Sequence, residues 1–547
     1  MNQVVTAFMQ KMNKWPDSFS EKAPSPLVWF LSFAGIIAVR LFLDNFVAQQ
    51  GKFTLASPTD AHNLLFFLLV IISLWLWLAL CVQENPLKLS NLVLWASLII
   101  IFPPIFDMLK TGGGIFWSPY LFSSFHDLGP QCVSFLGNLP TGMVYFGTRI
   151  MAAVCVLAFL LIIFLKTKNV WRSLAGALGA YGILFFFVSF PSWLSFVYHF
   201  FQGSKKITAV TSIDIVQFVG APKPIFGVEF AESLKHALSF NLNLIYFPLL
   251  LGLLAILFFW INKDKFRALA GNARLPQLLG HTGLFFAGLW LGYLAYPGNL
   301  NLNIFSAFAA LNLLAAIWLA WLASVAVNDI YDFSIDAISN QDRPLPKKII
   351  TIGEYWQIGL IFFILSLVGG FIVNPKFAAL LLVYQVIAWI YSSPPFHLKR
   401  LPVAATLLAA ADLIIVLFIG FALISGDNNI QGLSWRVILL LLLTLTLALP
   451  LKDFKDIEAD KKHNIWTLPV LLGEEKGRLF MAAWAFVSFV LTVFFLNEFR
   501  LFWWAVLCGA GAFLVIVNKK TKPRQFFWWV LGIAAAYGLI LVKIIFL

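Results

Sequence analysis

The chain has 547 residues and a formal net charge of +13, yet only 12% of it is charged and 61% is hydrophobic. Soluble domains carry about twice that share of charge, so the composition excludes a soluble globular protein and requires a polytopic membrane protein. The basic excess sits in short connections between apolar runs, where it follows the orientation bias of membrane proteins rather than a nucleic-acid surface.

Residues 1–24 are polar and amphipathic and lack a small-residue cleavage pattern, so no cleavable signal peptide is expected. Apolar runs long enough to cross ~30 Å of hydrocarbon follow near 27–46, 64–82, 90–108, 149–166, 174–200 and 238–261. After a basic, polar stretch at 262–277 they resume near 283–297, 304–327, 352–373, 376–391, 403–425, 434–451, 479–496, 499–517 and 526–546. The expected fold is all-α, with about fifteen membrane helices, six in a domain over 1–270 and nine in a domain over 275–547. No internal repeat or low-complexity tract is visible. Cys81, Cys132, Cys155 and Cys508 show no metal-binding spacing and read as packing residues.

The N-terminal half carries no recognisable motif. Arg40 and Asp44, four residues apart, are a structural pair or part of a polar site. Asp107, His126 and Asp127 flank the loop Thr111-Gly112-Gly113-Gly114; loop polarity is the simpler reading, metal ligation the other. The glycines lack the Lys-Ser/Thr context of a phosphate loop.

With the N-terminus inside, strict alternation puts Lys166, Lys168, Lys263, Arg274, Lys347, Lys348, Lys399, Arg400, Lys461, Lys462 and Lys519 in inward connections. The outward links 298–303 and 426–432 hold almost no Lys or Arg. Lys205, Lys206 and Lys223 are exceptions, in a longer loop where the rule acts weakly. This orientation places the acidic clusters described next at the cytoplasmic face of a multi-pass protein, expected in a prokaryotic plasma membrane.

The first cluster is Asn328-Asp329-Ile330-Tyr331-Asp332-Phe333-Ser334-Ile335-Asp336, at the end of an apolar run. On a helix, Asn328, Asp332 and Asp336 share one stripe, while Asp329 lies off it and is a secondary candidate. Three oxygen-bearing side chains in one row repel unless a cation sits among them, and a hard divalent ion such as Mg²⁺ wants such ligands. Asp453, Asp456 and Asp460 form a second stripe far downstream. Two stripes on one side point to magnesium and a diphosphate. Aspartates cannot hold a diphosphate directly, so metal must bridge them, and Arg343, Lys399, Arg400 and Lys452 are placed to help. Tyr391 ends a span just before Ser392-Ser393-Pro394-Pro395; it is either an interfacial aromatic or a face that stabilises an allylic cation.

Together these residues resemble the UbiA superfamily of intramembrane prenyltransferases. The resemblance rests on Asn328, Asp332 and Asp336 followed by Arg343-Pro344-Leu345, and on Lys452-Asp453-Phe454-Lys455-Asp456-Ile457-Glu458-Ala459-Asp460 continuing into Thr467-Leu468-Pro469-Val470. A Tyr-Ser-x-Pro-Pro loop over 391–400 is the third feature, with His397 where many relatives carry Arg. The resemblance covers about 275–547 and implies a nine-helix bundle around a cavity open to lipid. It implies a polyprenyl diphosphate donor and the metal ligands Asn328, Asp332, Asp336, Asp453, Asp456 and Asp460 for two Mg²⁺. It further implies diphosphate contacts from Asn328, Arg343, Lys399, Arg400 and Lys452, and catalytic roles for Asp332, Asp456 and Tyr391. The acceptor, lipophilic or small and polar, is left open among aromatic, chlorin, glycerol-phosphate and sugar-phosphate types. A partner module for lipid handling is the expectation for the N-terminal half. The rival reading is a transporter or channel whose acidic cytoplasmic loops bind a cation. That rival requires ionisable residues inside the spans, of which Asp412 is the main one in the C-terminal half.

Overall fold

A backbone amide in hydrocarbon has no water to bond, so each spanning segment must satisfy its own N–H and C=O groups, and a helix does so. The computed structural model describes residues 23–47, 58–111, 121–136, 146–203, 205–221, 224–226, 228–229, 234–426, 428–455, 457–462 and 466–546. Among the described residues fourteen helices are long and apolar enough to cross a membrane, and Trp435–Leu451 is a shorter apolar helix. This is the all-helical, multi-pass architecture that composition requires. Two two-residue strands, Pro224–Ile225 and Val228–Glu229, are the only ones among the described residues.

The chain divides into two compact units: Met1–Ile225 with Glu229–Arg267 and Ala307–Ala309, and Phe226–Val228 with Ala268–Ser306 and Ala310–Leu547. The first contains α1 (Pro26–Val47), α2 (Pro58–Val82), α3 (Pro86–Ala96), α4 (Pro103–Thr111), α5 (Leu128–Val133), α6 (Phe146–Thr167), α7 (Val170–Val188), α8 (Phe190–Gln202), α9 (Ser212–Val219) and α10 (Leu234–Ile261). Two of the expected spans are broken in the structure. The run near 90–108 is interrupted by a 3₁₀ turn at Ser97–Ile101 ahead of Pro103, and the run near 174–200 breaks at Ser189 ahead of Pro191. Proline lacks the N–H that would continue the ladder, which apolar length alone does not register. Arg40 pairs with Asp44 at 2.8 Å and donates to the Ile100 carbonyl at 2.8 Å, while buried Asp107 accepts the Gly147 amide at 2.8 Å. Asp127 closes a capping box with Ser124, which accounts for that residue as loop architecture. Gly112, Gly113 and Gly114 lie outside the described residues.

Helix α11 (Lys263–Gly271) leads into the second unit. There follow α12 (Leu275–Ala295), α13 (Ile304–Tyr331), α14 (Phe333–Ser339), α15 (Ile352–Val373), α16 (Pro375–Ser392), α17 (Pro402–Ile424) and α18 (Trp435–Ala448). The chain then runs through α19 (Ile457–Lys462), α20 (Leu468–Leu496), α21 (Phe502–Val517) and α22 (Pro523–Phe546). With no hydrophobic gain from pairing apolar helices in lipid, close backbone approach through small residues holds such bundles. Helices α12 and α17 show it: a Cβ on Gly288 would stand 2.2 Å from the Leu417 carbonyl oxygen, and one on Gly420 2.1 Å from that of Phe285. A second core joins α20, α21 and α22 through Met481, Ala482, Phe489, Ala505, Ala512, Phe526 and Tyr537. Gly420→Ala should therefore force α12 and α17 apart and cost about 1–3 kcal/mol. Gly283→Ala on α12, with nothing within 4 Å of its added Cβ, should cost nothing. Thermal unfolding of the two variants in detergent compares them directly.

Candidate functional site

Helix α13 carries its apolar side chains through the bilayer and delivers Asn328 and Asp329 to its final turn. Asp332 sits at the junction with α14 at ψ 6°, yet the ladder is not lost there. The Asp332 amide donates to Asn328 O at 2.9 Å and the Asp336 amide to Asp332 O at 2.8 Å. Consecutive i to i−4 bonds thus join the three stripe residues, as their spacing requires.

Each acid has a cation in contact. Buried Lys399 donates its ammonium to Asp332, and Arg343 donates to Asp336, whose other oxygen accepts Asn340 Nδ2 at 3.1 Å. Arg343 also reaches Asp329 at 3.1 Å. Asp329, 2% exposed, accepts in addition from Arg274 at 2.5 Å, Asn272 Nδ2 at 2.6 Å and the Tyr355 hydroxyl at 3.2 Å. Asp329 is therefore an anchor that ties the entry to α12 and the start of α15 to the end of α13. The pattern marked it as off the stripe and said nothing of Asn272, Arg274 or Tyr355. Those three are brought to it only by tertiary packing, with Leu345, Ile350 and Tyr355 buried against Ala326.

The 391–400 loop completes this wall. Ser392 Oγ donates to Asn328 Oδ1 at 3.3 Å, which fixes the end of α16 against the end of α13. Tyr391, half-buried, occupies the last turn of α16 beside that contact. Lys399 turns inward while Arg400 is exposed, so the two neighbouring cations are sorted by the short 3₁₀ turn that carries them. His397 adopts φ 46°, and its buried Nε2 has no hydrogen-bond partner in the structure. Burial, reinforced by Lys399 and Arg400, holds its pKa below the usual imidazole range. A neutral ring there offers a hydrogen bond rather than a charge.

The second cluster begins in the 3₁₀ segment Leu449–Lys455. Phe454 drives into the α20–α22 core, edge-on to Phe526 at 5.6 Å between ring centroids, and leaves neighbouring Asp453 half-buried. Helix α19 packs against α14, so the segments bearing the two clusters meet. Arg478 steadies this end by bonding the Asn518 and Thr521 carbonyls at 3.2 Å each, near the end of α21. Asp456 lies outside the described residues, as do the side chains of Lys452 and Asp460. Among the described residues no three His, Cys, Asp or Glu side chains converge as a ligand set.

Comparison with known proteins decides the family. The UbiA prenyltransferase family model matches residues 284–532, which include both clusters and the loop between them. Residues 284–532 belong to the UbiA prenyltransferase family. A digeranylgeranylglyceryl phosphate synthase of Methanococcoides burtonii is 28% identical over 267 residues, 47% of this chain and 90% of that protein. One from Methanosphaera stadtmanae is 25% identical over 217 residues, 38% of this chain and 77% of that protein. The bacteriochlorophyll synthase 33 kDa chain of Cereibacter sphaeroides is 31% identical over 156 residues, 28% of this chain and 50% of that protein. A solved UbiA homologue from Aeropyrum pernix K1 aligns with a TM-score of 0.40 at 21% identity, covering 49% of this chain and 98% of that one.

Within this UbiA region, removing Asp329 strands two partly buried guanidinium groups. Breaking a buried ion network by deleting one partner costs about 3–5 kcal/mol. Asp329→Ala should lose stability on that scale in chemical or thermal unfolding, whereas Asp342→Ala, whose exposed carboxylate pairs with Lys347 at 2.9 Å, should be neutral.

Proposed function

We propose that the UbiA region is an integral-membrane enzyme that transfers a polyprenyl group from its diphosphate to an acceptor, with its diphosphate site at the cytoplasmic face. The observation that carries this reading is the pairing of an acidic stripe with cations that can exchange partners: Asp332 with Lys399, and Asp336 with Arg343.

The donor set fits a hard divalent cation, since Asn328, Asp332, Asp336 and Asp453 offer only oxygen. With substrate bound, Asn328, Asp332 and Asp336 would hold one Mg²⁺, and Asp453, Asp456 and Asp460 a second. Such ions neutralise the negative charge that grows on the departing diphosphate. Lys399 and Arg343 then turn from their carboxylates to the diphosphate oxygens, and Arg343 stays tethered by Asp329. Net charge near the site changes little in this exchange, which suits a region next to hydrocarbon. Tyr391 presents its ring to the allylic C1 as the C1–O bond loosens, and the acceptor's nucleophile closes on C1. Lys452 supplies a further cation; exposed Arg400 steers the donor rather than holding it. In this reading the chemistry belongs to the C-terminal half, and the N-terminal half is a partner module for lipid handling.

The acceptor class favoured by the relatives is hydroxyl-bearing, because two of them are named as digeranylgeranylglyceryl phosphate synthases. Labelled geranylgeranyl diphosphate, Mg²⁺ and purified protein should give Mg²⁺-dependent diphosphate release. Asp332→Ala should reduce it by about 10²–10³, the loss expected when one preorganised electrostatic contact is removed. Arg400→Ala should change it less than tenfold. Absence of release by the wild-type protein across donor chain lengths would overturn the reading.

Acidity sharpens the test. Burial pushes the Asp336 carboxyl up to about 6, against the opposing effect of Arg343. Only the ionised carboxylate binds metal, so a proton competes with Mg²⁺ below that value. The Mg²⁺ concentration for half-maximal release should rise about tenfold for each unit that pH falls below 6, and be flat between 7 and 8.

A further inference from the structure

At one face of the first unit, three separate connections bring cations to a single turn. The turn between α2 and α3 holds Glu84 and Asn85. From the end of α6, Lys166 donates to both Glu84 oxygens, at 3.1 and 3.2 Å. At the end of α10, the Ile261 carbonyl accepts Asn85 Nδ2 at 3.0 Å. The start of α7 lies against the end of α2, where Trp77 Nε1 donates to the Gly176 carbonyl at 2.9 Å. A Cβ on Gly176 would stand 3.3 Å from Cys81 Sγ, and Arg172 is one turn nearer the face. Lys88, Lys168, Arg172, Lys263 and Arg267 therefore share one rim, and all five are exposed.

Among the described residues the acids of this rim are Glu84, already held by Lys166, and Asp264. The opposite face of the same unit is built differently, with Arg40 on Asp44 at 2.8 Å and Lys205 on Asp214 at 2.7 Å. Orientation bias sets the sign of each connection but gives no reason for three of them to meet. Gathered like charges repel, and two acids cannot offset five exposed cations, so the arrangement calls for anions from outside. Aromatic side chains mark its level. Trp171, beside Arg172, is 82% exposed, and Trp260, just before Lys263, is exposed as well. Exposed indoles lie at the headgroup level of a bilayer, which sets the neighbouring cations among phosphates. Phe266 packs edge-on to Phe258 and Phe259, with ring centroids 5.8 and 5.6 Å apart. The start of α11 thus folds back on α10 and holds Lys263 and Arg267, four residues apart, on one exposed stripe.

We propose that this rim is a docking surface for anionic phospholipid headgroups of the adjoining leaflet, centred on Lys88, Lys263 and Arg267. Each lipid phosphate takes charge-assisted hydrogen bonds from the ammonium and guanidinium groups, while Trp171 and Trp260 cover the glycerol and the first acyl carbons. A soluble anion would satisfy the cations and leave the indoles bare. A phospholipid satisfies both. The proposal concerns the first unit alone and does not rest on the prenyltransferase reading.

The test equilibrates full-length protein with mixed micelles of phosphatidylglycerol and phosphatidylcholine and counts the retained lipids by native mass spectrometry. The wild type should prefer phosphatidylglycerol, and the preference should fall as ionic strength rises. Lys88→Gln, Lys263→Gln and Arg267→Gln combined should weaken phosphatidylglycerol retention by about 10², at about fivefold for each cation removed, and leave phosphatidylcholine unchanged. Lys519→Gln, Lys520→Gln and Lys522→Gln combined remove the same charge from an exposed turn of the UbiA region and should change retention by less than threefold. Asp264→Asn should strengthen it at least twofold, a gain that misfolding cannot imitate. Equal retention of the two lipids by the wild type would overturn the proposal, as would equal losses in the two triple variants. Displacement by inorganic phosphate beyond that caused by chloride at the same ionic strength would mean a soluble-anion site and overturn it too. Should the rim variant fail to fold, Asp264→Asn decides, and no gain there counts against the proposal.

Discussion

Everything at the functional end of the UbiA region depends on how carboxylates are kept ionised beside a membrane. Burying a carboxylate without a partner costs several kcal/mol, and three acids, Asp329, Asp332 and Asp336, lie within eight residues at the end of α13 or just after it. The structure meets that cost by division of labour. Asp329 collects Arg274, Asn272, Tyr355 and one arm of Arg343, and is fully committed to architecture. Asp332 and Asp336 are each held by a cation that is not fixed by anything else of comparable strength, apart from the Arg343 tether. The committed acid sets the position of the exchangeable ones.

That arrangement explains why the supporting fold is built as it is. The stripe needs its helices to end at one level, and the glycine contacts between α12 and α17 hold their spacing at backbone contact distance. Ser392 on Asn328 locks α16 to α13, so Lys399 arrives opposite Asp332. Phe454 in the α20–α22 core does for the second cluster what Tyr355 does for the first. Buried aromatic anchors hold the backbone at both clusters; Asp332 and Asp453 are left at partial exposure, while Asp329 and Asp336 are buried.

Much of this was legible in the chain. Apolar runs report membrane helices because hydrocarbon admits little else, and among the described residues the fourteen long helices and one short one match the count expected from them. The i, i+4, i+8 stripe was legible because the ladder runs through the α13–α14 junction. Pro103 and Pro191 stand within two of those runs, so the breaks at Ser97–Ile101 and Ser189 just ahead of them were readable as well. The split between inward Lys399 and outward Arg400 was hidden, because adjacent residues differ only through the turn that carries them. Asp412 was visible as a charge within a span. The hydrogen bond between His281 and Tyr384 was not, since residues on two helices meet only through packing.

The central claim is that the cations paired with Asp332 and Asp336 yield those acids to metal only when a diphosphate is there to receive them. Calorimetric titration of the purified protein with a non-hydrolysable geranylgeranyl thiodiphosphate, Mg²⁺, and both together measures this coupling directly. The account predicts weak binding of each alone and at least a hundredfold tighter binding when both are present, a coupling of about 2.7 kcal/mol. Thiodiphosphate binding of equal strength with and without Mg²⁺ would contradict it.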